Sequence, residues 1–205
     1  MELTIRTAPA RPAISLGEAK RHLGVADNDR DVDIERMIAA ATDMLCTSTG
    51  RALITTEYRL KMAGFCANDG FTSFPIELPY PPIQTVDEIT YYDVNGDEQT
   101  LSDYQLVAGP QVPAKLYPAR AGGLVWPVTQ TDRVDAVTID FTAGYGDTAD
   151  SVPAKAKQWL LLLVRHWYDN PSGVATGAIG KELEYALNSI RQSLGIGYRV
   201  HVQAQ

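Results

Sequence analysis

V-P-A-K-A-K-Q-W-L-L-L-L-V-R-H-W-Y-D-N, residues 152–170, reads as one long helix. Pro153 stands in its first turn, where the amide that proline lacks would have no intrahelical acceptor, and Pro171 closes the far end. At about 100° per residue, Trp159, Leu160, Leu161, Leu163, Val164, Trp167 and Tyr168 cover roughly 200° of the circumference. That is wider than the apolar stripe of a helix lying on a surface. Lys155, Gln158, Arg165 and Asp169 fill the remaining sector, and Leu162 interrupts them. The pattern predicts a core helix whose flank, at Leu161, Leu162 and Tyr168, is covered by another subunit. Any buried helix has this kind of composition, so the stretch speaks to architecture and leaves function open.

Working outward, 205 residues suit one domain, or one domain with a sizeable insertion, and 45% apolar residues are enough to bury a core. A formal charge of -7 and a pI near 4.9 argue against a surface built to grip phosphate backbones. Residues 1–12 hold charges and prolines without an apolar run of signal-peptide length, and residues 159–164 are too few to span a bilayer. The expectation is a soluble chain made in the cytoplasm, with no membrane partner. Cys46 and Cys66 lie far apart with no C-x-x-C or Cys/His cluster, which fits two reduced, structural cysteines.

Before the long helix, Ser15-Leu16-Gly17-Glu18 reads as a capping box that opens a short helix through Leu23. The acids of Asp27 to Asp33 then favour a second helix start, and Ile34, Met37, Ile38, Ala41 and Leu45 make one apolar stripe ending near Gly50. From Arg51 the period changes to two. Tyr58, Leu60 and Met62 mark a strand, and the prolines at 75, 79, 81 and 82 confine Ile76 to Leu78 to a rim or connector. Val86 to Val94, Asn95-Gly96 and Glu98 to Leu101 read as a hairpin with a tight two-residue turn. Tyr104 to Val107, Lys115 to Tyr117 and the alternating Val137 to Phe141 are further strands, with residues 120–127 a loop. After Pro171, Leu183, Ala186, Leu187, Ile190 and Leu194 define a last amphipathic helix. Ile196, Tyr198, Val200 and Val202 then alternate in a tail that invites another chain. The whole is an α+β fold: a helical frame of about four helices with a β-rich insertion between the second helix and the long core helix. Residues 1–53 and 148–194 form the frame, 54–147 the insertion and 195–205 the tail.

The chemistry that the sequence offers is thin. Asp27-Asn28-Asp29-Arg30-Asp31-Val32-Asp33 spaces oxygen donors like a calcium loop, but its sixth position is Val32 instead of glycine and its twelfth is Ile38 instead of glutamate. An acidic helix start explains the cluster without a metal. No G-x-S-x-G elbow, Cys/His signature or phosphate loop is present, and His22, His166 and His201 are scattered. The reading is therefore no enzyme, no cofactor and no metal. Lys115, Tyr117, Arg120, Trp126 and Arg133 come closest to a nucleic-acid patch but are sparse and interrupted. A second reading keeps an enzyme or sugar-binding module with a pocket around Trp126 and Tyr117.

Taken in order, these pieces resemble a known family: the head-tail connector proteins, also called adaptor or head-completion proteins, of tailed double-stranded DNA bacteriophages. The residues that carry the resemblance are Ser15 to Leu23, the Asp-rich link, Ile34 to Ala41, Thr49 to Leu53, Leu78-Pro79-Tyr80-Pro81-Pro82-Ile83, Val86 to Tyr92 with its Asn95-Gly96 turn, Phe141 to Gly146, and Val152-Pro153 leading to His166-Trp167-Tyr168. The resemblance implies a non-enzymatic virion protein at the head-tail junction. It implies a ring, commonly a dodecamer, beneath the portal protein, with a tail-completion or tail-terminator protein on the other side and DNA passing through without sequence-specific binding. On that footing, Ile196, Tyr198, Val200 and Val202 would dock on the portal. Another ring-forming tail-completion protein is the competing assignment.

Overall fold

A computed structural model describes residues 1–65, 75–109, 113–119 and 125–171, together with Tyr185, Asn188, Ser189, Gln192 and Leu194. Two compact units emerge from it, one made of Ala10–Ile54 with Tyr145–Gln205 and the other of Met1–Pro9 with Thr55–Gly144. Cys66, Arg120 and the tail from residue 195 lie outside the described residues.

The first unit is helical. Helix α1 spans Leu16–Leu23, α2 Asp31–Thr49 and α3 Ala154–Asp169. Ser15 Oγ accepts the Glu18 amide at 3.2 Å, which is one half of the expected capping box. Instead of returning to Ser15, the Glu18 carboxylate faces Lys157 Nζ on α3 at 4.0 Å. Pro153 takes the cap position with an extended ψ of 137°, so the helix starts one residue later than the proline itself. Ile34, Ile38, Ala41 and Leu45 of α2 meet Trp159, Leu160, Leu163 and Val164 of α3, none more than 5% exposed. Each such side chain contributes about 1.5–3 kcal/mol by leaving water, so these positions dominate the stability of the unit. The described residues of the expected fourth helix, from Tyr185 to Leu194, are helical, and Leu194 packs against the same core. Arg51, 3% exposed, donates to the Tyr145 hydroxyl at 2.9 Å, and the Tyr145 amide donates to the Leu53 carbonyl at 3.3 Å.

The second unit is antiparallel β. Strands β1 Glu2–Thr7, β2 Thr56–Met62, β4 Ile83–Tyr92, β5 Glu98–Thr100 and β8 Val137–Ala143 form a sheet in the order β1-β2-β8-β4-β5. Strands β3 Ile76–Leu78, β6 Tyr104–Val107 and β7 Ala114–Pro118 form a second, ordered β3-β7-β6. Val137, Ile139, Phe141 and Ala143 alternate into the core and are fully buried, as the period of two requires. Phe141, Tyr58 and Tyr80 stack in a row with centroids 5.4 and 5.3 Å apart. The row holds Tyr80 in the left-handed region at φ 58°, beside the cis Pro81-Pro82 bond that leads into β4.

Three sequence readings are corrected here. Residues 1–9, assigned to the helical frame, belong to the sheet unit, because Glu2-Leu3-Thr4-Ile5-Arg6-Thr7 alternates and pairs along β2. The β4–β5 turn is not a two-residue turn. Asp93 donates to the Asp97 carbonyl and accepts from the Gly96 amide, both at 2.9 Å, which leaves the three-residue loop Val94-Asn95-Gly96. Gly96 alone is left-handed there, at φ 87°, whereas a type I′ turn would also need Asn95 at positive φ. The strand also starts earlier than expected, at Ile83, because two register shifts let it bend along β8.

One charged group lies inside the sheet. Asp140 on β8 is 3% exposed, yet it sits among residues that face away from the apolar core. Arg59 on the neighbouring strand grips it with two 2.7 Å bonds, and Arg6 reaches it from β1 at 3.0 Å. The Arg59 guanidinium holds the Asp140 carboxyl below the usual carboxylate range, against the effect of burial. Because the folded pKa is depressed, the stabilisation is present above the unfolded pKa, near 4, and is lost as pH falls through the lower folded value. Asp140→Asn should cost about 2 kcal/mol at pH 7, discounted for the part-exposed arginines. In urea titrations the gap between variant and wild type should narrow below about pH 4. A gap that stays constant from pH 7 to pH 3 would contradict this role.

Candidate assembly surfaces

The α3 flank is built by helical geometry alone. With Trp159, Leu160, Leu163 and Val164 turned into the unit, Leu161, Leu162 and Tyr168 are each left half-buried. Leu161 and Tyr168 lie against the margin of the helical core. The Arg30 guanidinium sits 4.3 Å from the Tyr168 ring centroid, so this residue has a partner within its own unit. Leu162 is at the middle of the outer polar sector, between exposed Gln158 and Arg165. Arg165 bonds Asp169 at 2.8 Å and the His22 carbonyl at 3.3 Å, where the C-terminus of α1 favours a cation. The tail positions Ile196, Tyr198, Val200 and Val202 lie outside the described residues.

The Asp-rich link is organised by a lysine. Lys20 Nζ reaches Asn28 Oδ1 and Asp31 Oδ1, both at 2.7 Å, with its side chain only 13% exposed. The Asp27 carboxylate meanwhile accepts the Asp29 amide at 3.3 Å. The ammonium therefore supplies, from α1, the positive charge that the oxygen-rich loop attracts. Among the described residues no group of three or more His, Cys, Asp or Glu side chains converges as a metal site would.

Among the described residues that the pocket and nucleic-acid readings relied on, Trp126, Lys115 and Arg133 have partners within the chain. Trp126 is 2% exposed and stacks on Phe65 at 4.9 Å with planes 5° apart, so it is core. Lys115 pairs with Glu77 at 3.0 Å, and Arg133 lies 3.5 Å from the Tyr92 ring centroid while bonding Asp135 at 2.7 Å. Tyr117 is half-buried in β7. Burial pushes the Cys46 thiol up to about 11, which keeps it protonated and a poor nucleophile at neutral pH. His166 is bonded locally, its carbonyl accepting from Asn170 Nδ2 at 2.9 Å. Among the described residues no helix is long and apolar enough to cross a membrane.

A helical frame is thus interrupted in sequence by an antiparallel β insertion. The profile of the head completion protein family matches residues 13–190. The chain belongs to that family. Among solved structures, a chain from the virion of a native gene transfer agent particle is similar with TM-score 0.78 at 23% identity, covering 98% of each chain. A chain from the neck of an empty gene transfer agent particle, computed with C6 symmetry, gives 0.78 at 22% identity over 100% of each. One from the neck of the native particle, computed with C12 symmetry, gives 0.75 at 22% over 100% of each. At such identities the likeness is one of fold. No curated protein matches the chain.

For this head completion protein, Lys20→Met should lower stability by about 1–2 kcal/mol in urea denaturation, because it strips the ammonium from Asn28 and Asp31. Millimolar calcium should leave the melting temperature of the unsubstituted protein unchanged. A rise of several degrees with calcium would show that the loop takes a metal after all.

Proposed function

We propose that this head completion protein is a non-enzymatic virion component at the head-tail junction, assembled in the host cytoplasm into a ring beneath the portal protein. The ring, a dodecamer, extends the DNA channel and offers the tail-side completion or terminator protein a place to attach. DNA passes without sequence-specific binding, in keeping with a chain of net charge -7. Family membership carries this reading, and the neck assemblies named for the similar structures support it.

Two surfaces are assigned within it. The flank of α3 at Leu161, Leu162 and Tyr168 is covered by a neighbouring subunit, which accounts for a leucine in the outer polar sector. The C-terminal segment with Ile196, Tyr198, Val200 and Val202 docks on the portal, its backbone adding to an edge and its alternate side chains giving fit.

Deleting residues 196–205 should leave the melting temperature within a degree or two of wild type while reducing co-purification with the cognate portal at least tenfold. A truncated chain that binds portal and completes heads as well as the full chain would sink the assignment of the tail and favour a different ring-forming role.

A further inference from the structure

A closed ring of identical subunits is joined head to tail, so each copy needs two different, complementary surfaces. The reading above supplies one, the outer face of α3, and the structure points to the other. On α2, outside the buried stripe of Ile34, Ile38, Ala41 and Leu45, the exposed positions include Val32, Arg36, Ala39, Ala40, Asp43 and Met44. Val32 is 60% and Met44 50% exposed, although both are large apolar side chains on a well-formed helix. Ala39 and Ala40 between them let a second helix approach closely.

The charges of the two faces are opposite. On this face exposed Asp33 and Asp43 of α2 outweigh Arg36, whereas exposed Lys155 and Arg165 on α3 outweigh Asp169. Both helices also break a local rule in the matching sense. The last turn of α2 holds no basic residue, and the first turn of α3 holds no acid but two lysines, where the amide dipoles disfavour cations. Lys157 is relieved by Glu18 and Asp150 at 4.0 and 3.9 Å within its own unit, while Lys155 is exposed.

We propose that the outer face of α2, centred on Ala40 and flanked by Val32 and Met44, is the counterpart that receives the Leu162 face of α3 from the next copy. The proposal rests on the ring reading and names the partner surface within it. Ala40 and Leu162 are each near the middle of their helices, so they approach one another whichever way the helices run.

Disulfide trapping of the full-length chain tests this. Ala40→Cys and Leu162→Cys are made singly and together, with native Cys46 and Cys66 kept and wild type setting the background. Under mild oxidation at high protein concentration, each single variant should remain at background. Their mixture should give a dimer several-fold above it, and the double variant a ladder of higher oligomers. Dimers of Ala40→Cys alone would overturn the head-to-tail pairing. Dimers of Leu162→Cys without the α2 cysteine would keep the α3 face as an interface and sink α2 as its counterpart. No trapped species in any sample would overturn both the pairing and the α3 interface on which it rests.

Discussion

Thr56 and Ala143 are paired across β2 and β8, so the chain enters and leaves the large sheet on adjacent strands about 4.8 Å apart. In the helical unit the same closure is made by the Tyr145 amide on the Leu53 carbonyl and by Arg51 on the Tyr145 hydroxyl. These contacts allow a helical frame to be interrupted by an insertion of some ninety residues and still close. The entropy of closing a loop grows only slowly with its length, so what matters is that its two ends are held together. Once they are, α3 can complete the core that α1 and α2 begin.

The central strand β8 shows how the sheet tolerates charge. Its core face is entirely apolar, and its other face carries Asp140 under two arginines from two different strands. A carboxylate so enclosed would be costly alone, and the fork of Arg59 satisfies both of its oxygens. The bulge on β1 between Ile5 and Thr7 coincides with the arginine that reaches over β2. Edge irregularity and ion pairing are thus one device, and it ties the first residues of the chain to the middle of the sheet.

Periodic features were legible in the sequence. The breadth of apolar residues around α3, the stripe on α2, the alternation of β8 and the helix–sheet–helix order together gave the α+β class that the structure has. Strand β1 alternates too, but with only Leu3 and Ile5 as apolar positions its run is too short to stand out from the sequence alone. Other features depend on contacts between distant residues. Nothing local says that Asp140 will be gripped by residues 81 and 134 positions away, or that Trp126 in a proline- and glycine-rich stretch will stack on Phe65. The Asn95-Gly96 pair signalled a turn correctly but not its length, because the register of β4 and β5 is set by pairing along both strands. The proposed assembly surfaces are the least legible, since a helix that is apolar most of the way round looks the same whether its own subunit or another covers it.

The central proposal is that this head completion protein is a ring subunit that docks beneath the portal. Native mass spectrometry of the full-length chain, alone and with the cognate portal protein, measures this directly. The account predicts a portal complex that gains a fixed complement of twelve chains with few intermediate stoichiometries, because lateral contacts make occupancy cooperative. A portal complex that gains chains independently, in a broad distribution with no preferred number, or that gains none, would contradict it.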